Sequence, residues 1–246
     1  MKRILARLDT KNNKLIKSIR YEGLKVFGEI NEYALKYYSQ GADEIIYIDT
    51  IASLYERNSL IEAIDFATEN IFIPFTIGGG IKNVDQVRSI LRSGADKIAI
   101  NSEAIRNPNI IKDISKIFGS QCVMISIQAK KRRSGKWEPF FLNGREPSGL
   151  DVLDWVKTVE KLGAGEILLT SVDQDGTEDG FDYELLRDVS KNSNIPVIGA
   201  GGAKNIGNIV DIYKKTNVSA LAIGSLLHKN FVTIREIKKE INFSLR

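Results

Sequence analysis

Ile73-Pro-Phe-Thr-Ile-Gly-Gly-Gly-Ile-Lys-Asn83 returns 122 residues later as Ile195-Pro-Val-Ile-Gly-Ala-Gly-Gly-Ala-Lys-Asn205. Each copy is a short β-rich apolar run that breaks into glycine and opens a helix-period segment. Three weaker echoes keep the same order. Glu44-Ile-Ile pairs with Glu166-Ile-Leu at 122, Leu8-Asp9-Thr10-Lys11 with Ile127-Gln128-Ala129-Lys130 at 119, and Ile100-Asn101-Ser102 with Ile223-Gly224-Ser225 at 123. Four echoes at nearly one spacing predict one domain over 1–246, built from two halves at about 1–119 and 120–246.

The rest of the chain continues the alternation. Strand-like runs fall at Arg3–Asp9, Glu44–Asp49, Ile73–Ile77, Lys97–Ile100, Cys122–Gln128, Glu166–Ser171, Pro196–Gly199 and Ala220–Ile223. Helix-period segments separate them, among them Asn31–Ser39, Leu60–Thr68, Val84–Arg92 and Val152–Leu162, with Gly41, Gly94 and Gly163 where C-caps belong. Strand–helix alternation implies parallel pairing through right-handed crossovers. Eight such units in 246 residues predict an α/β fold, a (β/α)8 TIM barrel of two half-barrels. An open doubly wound sheet is the rival, weakened because no G-x-G-x-x-G follows the first strand.

Composition narrows the chemistry. An apolar content of 43% excludes disorder, and one cysteine (Cys122) excludes a disulfide framework or multi-cysteine zinc site. One histidine, His228, excludes a His-based metal cluster and leaves little room for a Ser-His-Asp triad. No cofactor or metal is expected. The net charge of +4 fits an anionic small-molecule ligand or a solvated basic face around Lys130-Lys131-Arg132-Arg133, and no nucleic-acid-reading motif is present. With no membrane-length apolar run and no signal-peptide core, a soluble cytoplasmic protein is expected.

In a barrel of this kind chemistry sits at the C-terminal strand ends. Gly78-Gly79-Gly80 and Gly201-Gly202 end the third and seventh strands, beside Asn101-Ser102 and Gly224-Ser225 on the fourth and eighth. Each half thus carries one candidate phosphate cup, made of close backbone N–H groups and a following helix. Two cups suit a ligand phosphorylated at both ends; alternatively the glycines only permit tight turns. Between the cups lie Asp9, Asp49, Asp173 and Asp175, candidate acids or bases, or simple caps. Asp9 is the strongest by position, and Asp175-Gly176-Thr177 reads as a ligand-contacting turn. Its repeat partner Gln128 cannot exchange a proton near neutral pH. Arg7, two residues from Asp9, points into the same interior and should pair with it. At the opposite end Arg3, Glu44, Lys97 and Glu166 can form a charged ring, either a structural plug or a gate. Cys122 reads as a small core residue, His228 as a surface or capping residue, Tyr37, Tyr38 and Tyr47 as packing, and 132–148 as an excursion covering the mouth or a partner site.

These residues resemble those of the cyclase (HisF-type) subunit of imidazole glycerol phosphate synthase. The runs that carry the resemblance are Leu8-Asp9-x-Lys11, Phe75-Thr76-Ile77-Gly78-Gly79-Gly80-Ile81, Gly94-Ala95-Asp96-Lys97, Phe118-Gly119-Ser120-Gln121, Gly163-Ala164-Gly165-Glu166-Ile167-Leu168-Leu169-Thr170-Ser171 and Asp175-Gly176-Thr177. The resemblance implies a two-half barrel whose floor docks a HisH-like glutaminase. Ammonia crosses that barrel and reacts at its mouth with a ribulosyl bisphosphate. It further implies that Asp9 is a catalytic aspartate, that Lys17 is a substrate-loop lysine, and that Gly80, Asn101, Gly176, Gly202 and Ser225 are phosphate positions. Arg3, Glu44, Lys97 and Glu166 match the ammonia gate, and Asp96 a floor residue facing the glutaminase.

Two positions depart from that pattern. The second catalytic aspartate falls on Gln128, and Arg7 replaces a small interior residue. This combination, with Ile19-Arg20-Tyr21-Glu22-Gly23-Leu24 and Ile51-Ala52-Ser53-Leu54-Tyr55, resembles a paralogous branch associated with glycosyl amidation in surface-polysaccharide biosynthesis. There the barrel would activate a glutaminase and conduct ammonia for an N-acetyl sugar amidotransferase. The alternatives are a histidine-pathway cyclase with an atypical site and a non-catalytic phosphate-binding barrel.

Overall fold

The computed structural model describes residues 2–50, 52 and 61–245. Apart from Ala52, the run 51–55 lies outside the described residues, as does Leu60 at the head of a predicted helix. Strand β1 (Arg3–Lys11) runs into an antiparallel hairpin, β2 (Lys14–Ile19) and β3 (Glu22–Glu29), before α1 (Ile30–Ser39) and β4 (Glu44–Asp49). Next come α2 (Ile61–Asn70), β5 (Phe75–Gly78), α3 (Val84–Arg92), β6 (Lys97–Ile100), α4 (Ser102–Arg106) and α5 (Asn109–Phe118). The pattern then restarts. Strand β7 (Val123–Lys131) continues into the antiparallel β8 (Trp137–Phe141) and β9 (Glu146–Pro147), followed by α6 (Val152–Lys161). Strand β10 (Glu166–Ser171), α7 (Tyr183–Asn192), β11 (Val197–Ala200), α8 (Ile206–Lys215), β12 (Ala220–Ile223), α9 (Ser225–His228) and α10 (Ile234–Ser244) complete the order.

Eight of these strands pair in parallel, β1–β4–β5–β6–β7–β10–β11–β12, and β12 returns to β1. The sheet is a closed barrel with helices outside, as the alternation predicts. Period two sorts its residues. Leu5, Ile46, Ala99, Met124, Leu168, Ile198, Ala220 and Ala222 fill the interior. Their neighbours Ile4, Ala6, Leu8, Ile45, Tyr47, Ile125, Ile167, Leu169 and Leu221 face the helices in the larger core. The interior layer therefore separates the charged strand starts from the polar strand ends.

Two features extend the predicted pattern. Both nine-residue strands, β1 and β7, project beyond the barrel and carry a hairpin over the mouth. Asn12-Asn13 turns the first, both residues at positive φ (50° and 58°), a conformation Asn tolerates. Its other end is held from outside: Arg20 and Tyr21 also sit at positive φ, while the Arg20 N–H donates to the Asp175 carbonyl at 2.7 Å and Arg20 Nε to the Asp173 carbonyl at 3.0 Å. The residues 132–148 form the second hairpin.

Three local expectations are corrected. The strands after Pro74 and Pro196 begin at Phe75 and Val197, because proline has no N–H for a ladder. Cys122 lies half-buried in a 3₁₀ turn, Ser120–Cys122, whose geometry follows Gly119 at φ 90°. His228 is buried, 2% exposed, and its Nδ1 meets the Tyr37 hydroxyl at 2.7 Å. Tyr37 and Tyr47 are core residues as expected.

Leu168 lies at the centre of the barrel interior and is fully buried. Leu168→Ala is expected to lower the unfolding free energy by about 2–5 kcal/mol, measured as a shift of the urea midpoint with unchanged slope.

Candidate active site

The strand starts form the barrel floor, where four side chains converge. Arg3 Nη2 meets Glu166 at 2.6 Å and Arg3 Nη1 meets Glu44 at 3.4 Å. Lys97 Nζ meets Glu44 at 2.8 Å and Glu166 at 2.6 Å. Each cation thus touches both carboxylates. Thr76, a member not anticipated from the sequence, donates to Glu44 at 2.6 Å. Its place beside Glu44 follows from the period-two face of β5. Burial would raise the Glu166 pKa, but Lys97 and Arg3 hold it below the usual carboxylate range. Asp96 is exposed beside this ring, with one oxygen accepting from the Phe75 N–H at 2.9 Å. Phe72 stands 78% exposed at the same end.

Above the apolar layer the interior turns polar. Arg7 is buried, and its Nε donates to Asp9 at 2.9 Å, as the spacing predicts. Its Nη1 donates to Thr170 Oγ1 at 2.9 Å and its Nη2 to the Tyr21 hydroxyl at 3.3 Å. Lys17, brought over the mouth by β2, donates to Asp9 at 2.8 Å and to both Asp175 oxygens at 3.0 and 2.9 Å. Thr170 was reachable from the sequence, since it lies four residues beyond Glu166 on one strand face. Tyr21, at a hairpin turn, carried no such signal.

These contacts fix the protonation states. Burial alone would raise the Asp9 pKa, yet Arg7 and Lys17 outweigh it and hold the carboxyl far below the usual range. Burial alone would lower Lys17, yet Asp175 and Asp9 push it up to about 12. Asp9 is thus a locked carboxylate, a poor proton donor and a weak base. Gln128 is 7% exposed, and its Oε1 has no hydrogen-bond partner. Asn101 donates from Nδ2 to the Phe140 carbonyl at 3.1 Å, leaving its Oδ1 without a partner.

Two cavities lie at the strand ends, where the candidate phosphate cups are expected. The larger, about 60 Å³, is lined by Asp49, Gly80, Asn101, Ser126 and Gln128. The smaller, about 20 Å³, is lined by Arg7, Lys17, Asp175, Gly176, Gly202, Gly224 and Ser225. At Gly79 a Cβ would lie 2.3 Å from the Asp49 carbonyl oxygen, and at Gly176 one would lie 2.2 Å from that of Ser18. Close packing therefore accounts for those glycines, and Gly176 is where the first hairpin rests. At Gly224 an added Cβ would make ordinary contacts, with His228 Nε2 at 3.5 Å, the Arg7 carbonyl oxygen at 3.6 Å and Lys17 Cε at 3.8 Å. Asp173 accepts from the Lys131 N–H at 2.8 Å and pins the base of the second hairpin.

Residues 3–233 match the profile of the histidine biosynthesis protein family. Among curated relatives, the imidazole glycerol phosphate synthase subunit HisF of Legionella pneumophila is 57% identical over 200 residues, covering 81% of this chain and 94% of that protein. The HisF subunit of Clostridium botulinum (strain Okra / Type B1) is 45% identical, covering 100% and 98%. That of Lactococcus lactis subsp. cremoris (strain MG1363) is 46% identical, covering 98% and 93%. These names carry the histidine-pathway enzyme and say nothing of glycosyl amidation. Among the described residues, no helix is long and apolar enough to cross a membrane.

The buried His228 gives a pH signature. Burial, reinforced by the Lys17 cation, lowers its pKa to about 3. The unfolded chain takes up this proton below about 6.5 and the folded chain does not, so stability is whole above that pH and falls as pH drops towards 3. Between pH 7 and pH 5 this histidine is expected to cost about 2 kcal/mol. Urea unfolding of the native chain and His228→Leu at both values reads that difference; equal pH dependence in the two would contradict it.

Proposed function

The chain belongs to the histidine biosynthesis protein family, among its HisF-type barrels, and from that premise we propose that it is the barrel subunit of a glutamine-dependent amidotransferase. A HisH-like glutaminase docks on the floor and is activated there, and its ammonia crosses the barrel to the mouth. The observation that carries this reading is the order of layers inside the barrel: a charged ring, an apolar passage, then a polar mouth.

Each layer has a task. Neutral ammonia crosses an apolar passage at little cost, whereas an ion pays the full burial penalty. Ala99, Ala220 and Ala222 contribute small side chains to this apolar layer, which lowers the bulk that so small a molecule has to pass. In the ring, Arg3 and Lys97 each hold both carboxylates. One cation can swing aside while the other keeps Glu44 and Glu166 paired, which avoids a bare buried charge. That redundancy suits a gate better than a plug. Exposed Phe72 and Asp96 supply an apolar and a charged contact for the docked subunit. At the mouth the two halves, 1–119 and 120–246, each offer one cup for a phosphorylated small-molecule ligand.

Two readings of the acceptor divide the observations. The names of the relatives favour the histidine-pathway cyclisation of a ribulosyl bisphosphate. The mouth favours the second, amidation of an N-acetyl sugar with a separate amidotransferase, because Gln128 cannot transfer a proton and Asp9 is locked by Arg7 and Lys17. Loss of one general acid–base group costs about 10²–10⁴ in rate.

Cyclase turnover of the purified chain with ammonium salt is therefore expected to lie that far below an ordinary HisF subunit, with partial recovery in Gln128→Asp. Turnover within tenfold of an ordinary subunit would assign the acceptor to the histidine pathway. The gate is tested in the glutaminase complex. Lys97→Ala is expected to lower product formed per glutamine hydrolysed several-fold, since Glu44 keeps Arg3 and Thr76 and the fold is retained. An unchanged ratio would reduce the ring to a plug, and failure to stimulate any HisH-like glutaminase would remove the whole reading.

A further inference from the structure

Arg7 divides the barrel mouth. Its side chain leaves β1 and ends on β10, tied to Asp9 and Thr170 at 2.9 Å and capped by Tyr21 at 3.3 Å. Around the closed sheet, β4 to β7 lie on one side of this chord and β11 and β12 on the other. The two mouth cavities follow the same division and share no lining residue. The one beside β11 and β12 is the smaller, about 20 Å³. Its lysine, Lys17, is already engaged by Asp9 and Asp175.

The cavity beside β4 to β7 differs. It is about 60 Å³, and the Gly79-Gly80 turn lines it together with the cations Lys82 and Arg106 and the carboxylates Asp49 and Glu103, so a phosphate would rest chiefly on the backbone of the glycine turn. It also holds two buried carbonyl oxygens without donors, Gln128 Oε1 and Asn101 Oδ1. The Asn101 amide cannot turn to relieve this, because its Nδ2 is bonded to the Phe140 carbonyl. Unpaired buried acceptors are costly and call for a donor. A phosphate monoester is mostly an acceptor-only dianion near neutral pH, so donors to these two oxygens fall to the rest of the ligand.

We propose that Arg7 is a specificity-determining residue that bars a bisphosphate from bridging the two cups. The β4–β7 chamber takes a singly phosphorylated compound whose hydroxyl or amide N–H groups donate to Gln128 and Asn101. The proposal rests on the reading of the mouth as the acceptor site, and it deepens that reading by naming the acceptor class.

Calorimetric titration of the full chain tests it with three probes: inorganic phosphate, glycerol 3-phosphate and the ribulosyl bisphosphate. Glycerol phosphate is expected to bind at least fivefold more tightly than inorganic phosphate, and Gln128→Met to abolish that preference. The bisphosphate is expected to gain less than tenfold over glycerol phosphate on the native chain, and at least tenfold on Arg7→Ala. The sign of this last effect is diagnostic. Removing a cation beside an anionic ligand weakens binding on charge grounds alone, whereas removing a partition strengthens the bridging ligand. Thr170→Val, which frees the far end of Arg7, gives the same direction at smaller size if Arg7→Ala does not fold. Weaker or unchanged bisphosphate binding in both variants overturns the partition, as does a gain beyond tenfold on the native chain. Absence of any phosphate binding, or of the preference for glycerol phosphate, overturns the chamber assignment. No glutaminase or ammonia enters this measurement, so its failure leaves ammonia delivery standing, and loss of glutaminase activation leaves the chamber standing.

Discussion

The buried Arg7–Asp9 pair constrains everything at the mouth. A guanidinium inside a barrel must be matched, since burial of an unpaired charge costs several kcal/mol. Asp9 alone provides one side of the match, and Thr170 and Tyr21 provide the rest. The aspartate in turn takes a second cation, Lys17, which draws β2 inward and brings Asp175 into the network. Tyr21 and Lys17 both belong to the first hairpin, so the same pair that locks the carboxylate also holds the hairpin down. The Arg20 N–H and Nε, donating to the carbonyls of Asp175 and Asp173, complete the closure. A single substitution at an interior position thus propagates from one strand to a whole face of the molecule.

The floor shows the opposite use of charge. There the cations are only partly buried, with Arg3 at 31% and Lys97 at 17% side-chain exposure, and each carboxylate, the buried Glu44 included, has two cationic partners. Redundant partners make each contact individually dispensable, which suits the gate proposed for this ring. At the mouth the ions are nearly dry, Arg7 and Asp9 at 5% side-chain exposure, and the partners are specific. Contacts of that kind hold a shape. The two ends of one barrel are therefore built for different mechanical behaviour from the same residue types.

Much of this was legible in the sequence, because the barrel is written in two periodicities. The offset of 122 residues between the glycine runs marks the strand ends where both mouth cavities lie, and period two places Arg7 and Asp9 on one interior face. The four-member floor ring came from strand starts alone. What stayed hidden depends on contacts between distant segments. Asn12-Asn13 is a legible turn, but Arg20-Tyr21 adopts positive φ only because residues 173 and 175 hold it there. His228 looked like a surface residue because a short helix after the last strand has no readable face. Its burial comes from Tyr37, 191 positions away. Gln128 was recognisable as a missing acid, whereas its unpaired oxygen could be found only with the neighbouring amide of Asn101 in place.

That orphaned oxygen bears on how the mouth came to differ from its relatives. If Gln128 merely filled the place of a discarded aspartate, an apolar residue of similar volume would serve better, since a buried unpaired carbonyl costs about 1–3 kcal/mol. The chain instead keeps a polar side chain that is 7% exposed and bonded to nothing through its oxygen. It keeps, a strand away, an asparagine whose free oxygen faces the same cavity. The cost is offset only when a donor arrives. Arg7 makes its hydrogen bonds to Asp9, Thr170 and Tyr21 and does not line this cavity. A donor on a bound molecule would meet both oxygens, which is the role proposed for the ligand of this chamber.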